Sequence, residues 1–454
     1  MKKQIRLLMV LPFVLLFGNC SKDSEVEAVK VDTTVPEPKP TPVPLVEVKI
    51  NSYSKNYGRK DDIITIYGEN FTDKIEDISL VFDGIPAKII SATSTEIKFK
   101  IPDTMGTQIP ILTIIITNSK VTNLVKNCYN GNIAILGNRS PSPWIVMNSP
   151  SINASVSNVQ ILDNRAIYYH TESKTTLSGG SSISYFYVYR SFDEGKTWGI
   201  WIDTQSDSRF PFSATTNDEG WSLYGSANLY KTLASSGTRG DLVFKGTSTI
   251  GVVTANENLT AGTIVTYNGT VYDTNDGINF SNVYTSNTDT YVGLGLASFA
   301  LDNNHIWVTG YKGITVNSSY TLKPFMIYKN TSSAGWKEKF FTDEPNDTYI
   351  REIQFFDADS GLLLLVGPSS SKIYKSNNGG DNWISIYNGE NFSNFVFKDA
   401  TTGWATLKNV IYKTTDGGAS WSIEYNHNED ILKIAYKDNV IWAFSKTKIL
   451  KRNL

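Results

Sequence analysis

The stretch Ile411-Tyr412-Lys413-Thr414-Thr415-Asp416-Gly417-Gly418-Ala419-Ser420-Trp421 constrains this chain most, because variants of it recur over the last two thirds. Ile411 and Tyr412 are strand formers, Thr414 and Asp416 can fold side-chain oxygens onto turn amides, Gly418 can take positive φ, and Trp421 is a large apolar anchor. The stretch reads as a strand, a tight turn and the start of a return strand. Ser191, Asp193, Gly195 and Trp198 form a second complete copy. Ser376, Asn378, Gly380 and Trp383 form a third with an amide in place of the acid, and Asn275, Gly277 and Phe280 a fourth; a shortened copy ends at Trp336. A lead of apolar residue, tyrosine and a following residue, usually basic, marks Tyr189, Tyr230, Tyr272, Tyr328, Tyr374 and Tyr412, spaced 41, 42, 56, 46 and 38 residues apart; a further 38 reaches Leu450. Seven leads at this period predict seven four-stranded units.

The pattern S/T-x-D-x-G-x-x-W/F resembles the Asp-box, or BNR repeat, of sialidase-like β-propellers. The resemblance implies that each box closes the hairpin between the third and fourth strands of a blade, away from any catalytic mouth, so its residues are structural. The seventh lead falls at the end of the sequence, and Trp144-Ile145-Val146-Met147-Asn148 resembles the post-box strands at Trp383 and Trp421. The expectation is an all-β chain ending in a seven-bladed Asp-box β-propeller over 144–454, with residues 144–148 completing the last blade as a velcro closure that covers exposed strand edges. Trp221, Trp307, Trp404 and Trp442 fall on predicted second strands, which makes most of the tryptophans core residues.

Upstream, Met1 to Gly18 has a basic start, Lys2, Lys3 and Arg6, and an apolar run too short for a membrane span. Leu16-Phe17-Gly18-Asn19-Cys20 resembles a bacterial lipoprotein box, which implies a signal peptide over 1–19 and lipidation of Cys20. Acyl chains would then hold the protein on a membrane. Ser21-Lys22-Asp23-Ser24-Glu25 resembles the acidic segment of Bacteroidota surface lipoproteins, so the expected address is the outer membrane, cell surface or periplasmic leaflet. Without residues 1–19 the chain holds 39 basic against 44 acidic residues, a balance that offers nothing to nucleic acid. Only Cys20 and Cys128 are present; Cys128 reads as a small buried hydrophobe. Residues 20–44 end in alternating prolines, an extended tether.

Residues 45–118 carry Ile63-Ile64-Thr65-Ile66-Tyr67-Gly68-Glu69-Asn70-Phe71, Leu80-Val81-Phe82-Asp83-Gly84 and Ile101-Pro102. In order and spacing these resemble the IPT/TIG immunoglobulin-like fold, which suits short strands at this length and implies a spacer. Residues 119–143 are expected to connect it to the propeller.

The sialidase family uses an arginine cluster to clamp a carboxylate and a tyrosine assisted by a glutamate. Its Arg-Ile-Pro motif is missing; Arg209-Phe210-Pro211 is the nearest relative and follows the first complete box. Glucanases on similar propellers need two acids across a mouth, and Asp203, Asp343, Glu344, Asp347, Glu390, Glu429 and Asp430 fall in predicted between-blade loops. His170, His305 and His427 lack metal-ligand spacing, and no motif calls for a cofactor. Candidate binding residues are Trp201, Arg209, Tyr311, Tyr320, Tyr349 and Arg351, in part from the loops predicted at Tyr169 to Ser182, Tyr311 to Lys323 and Asp343 to Arg351. Polar groups interleaved with tyrosine suit a glycan or protein partner. The leading expectation is a non-catalytic surface lipoprotein; the alternatives are a glycoside hydrolase and a membrane-complex assembly factor, the last because photosystem II stability factors resemble such repeats.

Overall fold

β-Branched and aromatic residues alternating with polar ones leave the described chain with strands and a single three-residue 3-10 turn, Ile75–Asp77. The computed structural model describes residues 44–454 apart from 104–105, 126–130, 138, 151–154, 164–165, 177–181, 205–210, 218, 233–238, 287–291, 317–318 and 332–334. Leu45–Leu454 form one compact unit.

The first part of that unit is a sandwich. A five-stranded sheet, in the order Lys88–Ala92, Glu96–Lys100, Ile63–Glu69, Val46–Tyr53 and Ser119–Asn123, packs on a three-stranded sheet of Ile85–Pro86, Ile78–Phe82 and Leu112–Ile116. The period of two turns Val48, Ile50, Ile64, Ile66, Ile97 and Phe99 inward against Leu80 and Phe82. The boundary expected at 118 is corrected. Ser119–Asn123 pairs in parallel with Val46–Tyr53, and Ala134–Leu136 pairs in parallel with Tyr57–Arg59. Val121, Ile133 and Ile135 add apolar surface to the sandwich, and that draws the supposed connection into it.

Seven four-stranded antiparallel sheets follow. The first contains Ser155–Leu162, Ala166–Thr176, Ser182–Ser191 and Gly199–Thr204. The second runs from Phe212–Ala214 to Arg239–Lys245, the third from Ile250–Ala255 to Ser281–Thr285, and the fourth from Val292–Asp302 to Lys337–Phe340. The fifth runs from Tyr349–Phe355 to Ile384–Gly389 and the sixth from Asn394–Phe397 to Ser422–Asn426. The seventh takes its first three strands from Ile431–Lys437, Val440–Ser445 and Lys448–Asn453, and its fourth is Ile145–Asn148, with Ile145 opposite Lys451 and Asn148 opposite Lys448. All seven leads lie on third strands. Apolar clusters fill the space between consecutive sheets, and one of them joins Trp442, Phe444 and Ile449 of the seventh sheet to Ile167 and Tyr169 of the first. This is a propeller-like all-β fold.

In five sheets the fourth strand carries one extra residue where its partner steps into the lead tyrosine: at Tyr189, Tyr230, Tyr272, Tyr374 and Tyr412. Such a bulge bends the outer strand and increases twist. Trp201 is the extra residue of the first sheet and is fully buried, edge-on to Tyr168 and Phe212. Trp201, named above as a candidate binding residue, is thus packed against the neighbouring sheet.

Candidate functional site

Strands that run up and down place the first-to-second and third-to-fourth connections at one end of each sheet, the turn end. The second-to-third hairpins and the connections between sheets share the other, the loop end.

At the turn end the signature residues are consumed by the turn itself. In the sixth sheet Thr414 Oγ1 donates to Asp416 Oδ1 at 2.7 Å and accepts the Gly418 amide at 3.0 Å, while Trp421 Nε1 donates to the Gly418 carbonyl at 3.0 Å. Ser420 donates to Asp416 through hydroxyl and amide, and these bonds hold that carboxyl down to about 2. Ser191, Asp193, Gly195 and Trp198 repeat the arrangement, with Gly195 to Ser191 at 2.7 Å, Ser191 to Asp193 at 2.9 Å and Trp198 to Gly195 at 3.1 Å. In the fifth sheet Asn378 Oδ1 takes the acid's role, accepting from Ser376 at 3.1 Å and from the Asn382 amide at 2.9 Å, while Gly380 donates to Ser376 at 2.9 Å. The third sheet corrects the sequence reading. Its accepting group is Asp276, not Asn275: Asp276 accepts from Thr274 at 3.0 Å and from the Asn279 amide at 2.7 Å, and Gly277 donates to Thr274 at 3.0 Å. The turn is one residue shorter than its sisters, so alignment on the glycine misplaces the acid.

One turn departs from the rule in a second way. The residue after the acid or its amide stand-in has positive φ in four turns, Gly277 at 74°, Gly379 at 67°, Gly417 at 75° and Glu194 at 58°. A side chain there is strained, and Glu194 is buried. Its Oε1 accepts from Arg139 Nη2 at 3.0 Å and lies 3.6 Å from Arg59 Nη2; its Oε2 accepts from Lys451 Nζ at 2.5 Å. Burial pushes the carboxyl up, and the Lys451 and Arg139 charges outweigh it and hold it below its ordinary value. Glu194 thus joins the sandwich, the connection, the first sheet and the last strand. Asn56 to the Thr216 carbonyl at 3.2 Å, Lys196 to the Thr107 carbonyl at 2.7 Å and Tyr57 to Asp163 extend the junction. The sandwich expected as a free spacer rests against the turn end.

The loop end is where binding residues were expected. Segments read as loops at Tyr169 to Ser182 and Tyr311 to Lys323 are largely strand: Ala166–Thr176 with Ser182–Ser191, and His305–Val316 with Ser319–Lys329. Runs of Thr, Tyr and Ile favour extended chain even where the alternation is weak. These two hairpins are the longest of the seven. Tyr311 hydroxyl meets that of Tyr267, and Tyr349 is half-buried against the core between the fifth and sixth sheets. Arg209 and the Tyr320 side chain lie outside the described residues, as do Cys20, Cys128 and the Asp203 side chain.

Three glutamates at this end are committed, while Asp343, Asp347, Glu390 and Asp430 are exposed. Glu338 Oε2 lies 3.1 Å from Lys312 Nζ, and its Oε1 accepts from Ser286 at 2.6 Å and from Tyr284 at 2.5 Å. Burial pushes Glu338 up, but those hydroxyls and the ammonium leave it below its ordinary value. Lys312 itself is buried, with its ammonium over the Phe325 and Phe340 rings. Glu344 is paired with Lys372 at 2.8 Å and accepts from Tyr374; Glu429 accepts from Ser445 at 2.8 Å and from Thr447. The Thr447 and Ser445 bonds hold Glu429 low. Burial, then the adjoining glutamate, raise the hydroxyls of Tyr284 and Tyr374 above their ordinary value.

Arg351 behaves differently. It is the extra residue of the first strand of the fifth sheet, between Ile350 and Glu352, where a bulge re-aims a side chain. Glu352 on one side of it is bound by Lys433 of the seventh sheet at 2.7 Å. Arg351 is half-exposed and forms no ion pair among the described residues, where it is also the one arginine at this end. A three-arginine carboxylate clamp is therefore not assembled from them. Among them no group of three His, Cys, Asp or Glu side chains could hold a metal, and no helix is long and apolar enough to cross a membrane.

Residues 49–130 match the IPT/TIG domain. No curated protein matches the chain. Among solved structures the chain is similar to one described as YCF48 bound to D1 peptide, at 14% identity over 69% of this chain and 97% of that one, TM-score 0.49. It is similar to a protein of unknown function from Bacteroides thetaiotaomicron, at 11% identity over 90% and 98%, TM-score 0.37. A chain of the Mitotic Checkpoint Complex aligns at 9% identity over 70% and 92%, TM-score 0.45.

Proposed function

We propose that this chain is a non-catalytic lipoprotein of the outer membrane, anchored through Cys20. Its seven sheets are the blades of one closed Asp-box propeller, sealed by Ile145–Asn148, and the loop end captures a glycan or a surface protein. One observation supports binding over turnover: Glu338, Glu344, Glu352 and Glu429 are each satisfied by a lysine or by hydroxyls, while the Arg351 guanidinium is presented on a bulge without a counter-ion among the described residues. Such a group favours a partner bearing a carboxylate or sulfate.

The test is glycan-array and surface-protein binding of the full chain beside Arg351→Ala. At least a tenfold loss of affinity in the variant is expected. Turnover of a fluorogenic sialoside or a β-glucan would overturn the reading in favour of a glycoside hydrolase, which the Tyr284–Glu338 and Tyr374–Glu344 pairs keep in view as tyrosines beside acids. For the anchor, Cys20→Ala should move the protein from the membrane to the soluble fraction.

A further inference from the structure

The repeat fills the turn end of its second strands with a large buried side chain, Tyr168 in the first sheet, Leu362 in the fifth and tryptophan in four others. Trp221, Trp307, Trp404 and Trp442 stand there, all buried, and the next sheet's turn packs on the indole where both are well formed. A Cβ on Gly195 would meet Trp442, and one on Gly380 would meet Trp307. Opposite three of these indoles, on the neighbouring third strand, stands a lysine: Lys231 across from Trp221, Lys413 from Trp404 and Lys451 from Trp442.

The third sheet breaks this pattern twice. Its equivalent of Gly220-Trp221 and Gly403-Trp404 is Gly262-Thr263, and opposite Thr263 stands Asp273 rather than lysine. The connection from Lys329 to Trp336 in the fourth sheet, which would cover that position, lacks the acid of the signature turn. Where four other sheets hold an indole and the first and fifth hold the buried side chains of Tyr168 and Leu362, a cavity of about 460 Å³ opens, lined by Thr263, Asp273, Asn275, Asn303, Asn304 and Lys329. That volume lies in the range of small-molecule sites.

The charges lining it are already answered. Thr263 donates to Asp273 at 2.7 Å, and Asp273 lies 3.8 Å from Lys329, which also donates to the Asn303 carbonyl at 3.3 Å. Asp276, at the rim, is occupied by Thr274, Asn279 and the Ile278 amide. The side-chain amides of Asn275, Asn303 and Asn304 have no partner among the described residues. Each offers two donor hydrogens and an accepting oxygen, and Val283, 47% exposed, adds an apolar wall.

We infer that this cavity is a binding site for a neutral, hydroxyl-rich ligand of monosaccharide to disaccharide size. Carboxamides match vicinal hydroxyls because both groups donate and accept. An anion would find one lysine already shared with a carboxylate, and a flat apolar ligand would find too little apolar wall. The site lies at the turn end and is independent of the proposed binding at the loop end.

The test restores the repeat's own residue. Ligand-observed saturation-transfer NMR of the full chain would use methyl β-galactoside, methyl α-mannoside, N-acetylglucosamine, cellobiose and inorganic phosphate as probes. At least one neutral sugar is expected to show transfer, and phosphate none. Thr263→Trp, which fills the cavity with the indole found in sister sheets, should abolish the sugar signal; Asn303→Ala with Asn304→Ala should weaken it at least tenfold without altering the core. Arg351→Ala should leave it unchanged, so failure at this site and failure at the loop end read out separately. No sugar signal with the unaltered chain, a signal that survives both cavity variants, or a preference for phosphate would each overturn the assignment.

Discussion

The turns of the first and sixth sheets share their hydrogen bonds and differ in the residue after the acid. Gly417 takes its left-handed conformation without a side chain and donates its amide to the Thr401 carbonyl of its own sheet at 2.8 Å. Glu194 takes the same conformation at a cost in strain and places a carboxylate among Arg59, Arg139 and Lys451. One turn is a closed unit of local structure; the other has been converted into a junction. In a repeat, the copy that accepts strain where its sisters do not is the copy carrying something extra.

The largest expected effect tests the junction directly. Glu194→Ala strands cations whose side chains are only 12% and 10% exposed for Arg139 and Lys451, and should cost about 3–5 kcal/mol in urea denaturation. Gly417→Ala should cost about 1–3 kcal/mol, from the left-handed backbone and from a Cβ that would meet the Ala400 carbonyl at 2.8 Å. Glu194→Gly separates the two contributions. It relieves the backbone and removes the carboxylate, so it should recover about 1 kcal/mol relative to alanine while still freeing the sandwich, seen as a larger radius of gyration in small-angle scattering. A variant more stable than the parent would mean that Glu194 is an ordinary turn residue.

Thr414→Ala comes next. It leaves the Gly418 amide unsatisfied and should cost about 1–3 kcal/mol, without any change in scattering, because among the described residues that turn bonds only within its own sheet. The smallest effect is in pH. Asp416 is held down to about 2 against an ordinary value of 3.8, so its contribution is complete above about pH 4 and is lost as pH falls toward 2. Glu194 also lies below its ordinary 4.5, so its contribution too fades on acidification below that value. Asp416→Asn should flatten only the first of these losses in acid titrations of stability.

Much of the architecture was legible because it repeats. Tyr189 to Leu450 mark third strands, and Trp221, Trp307, Trp404 and Trp442 second strands, since a periodic core must reuse the same residue types at the same places. What sequence reasoning missed falls where the period is broken. Asp276 was misplaced because its turn is a residue short. Ser119–Asn123 was read as a connection because a single parallel strand carries no turn signal. The bulge that presents Arg351 depends on pairing across the sheet, which no local pattern encodes. Glu194 and Thr263 did leave a trace: each stands where sister repeats hold glycine or a large apolar or aromatic side chain, and a strict column-by-column comparison of the copies would have singled out both.

The pairing of Ile145–Asn148 with Lys448–Asn453 also has a consequence for biosynthesis. Ile145 waits for Lys451, roughly 300 residues later, and at about 5–20 residues per second of synthesis that is on the order of 15–60 s. Throughout that interval the emerging chain holds an orphan strand at one margin and a growing row of unfinished sheets at the other, each a target for mispairing with a neighbouring copy. A chain assembled this way gains from any escort that keeps the early strand engaged until its partner has emerged.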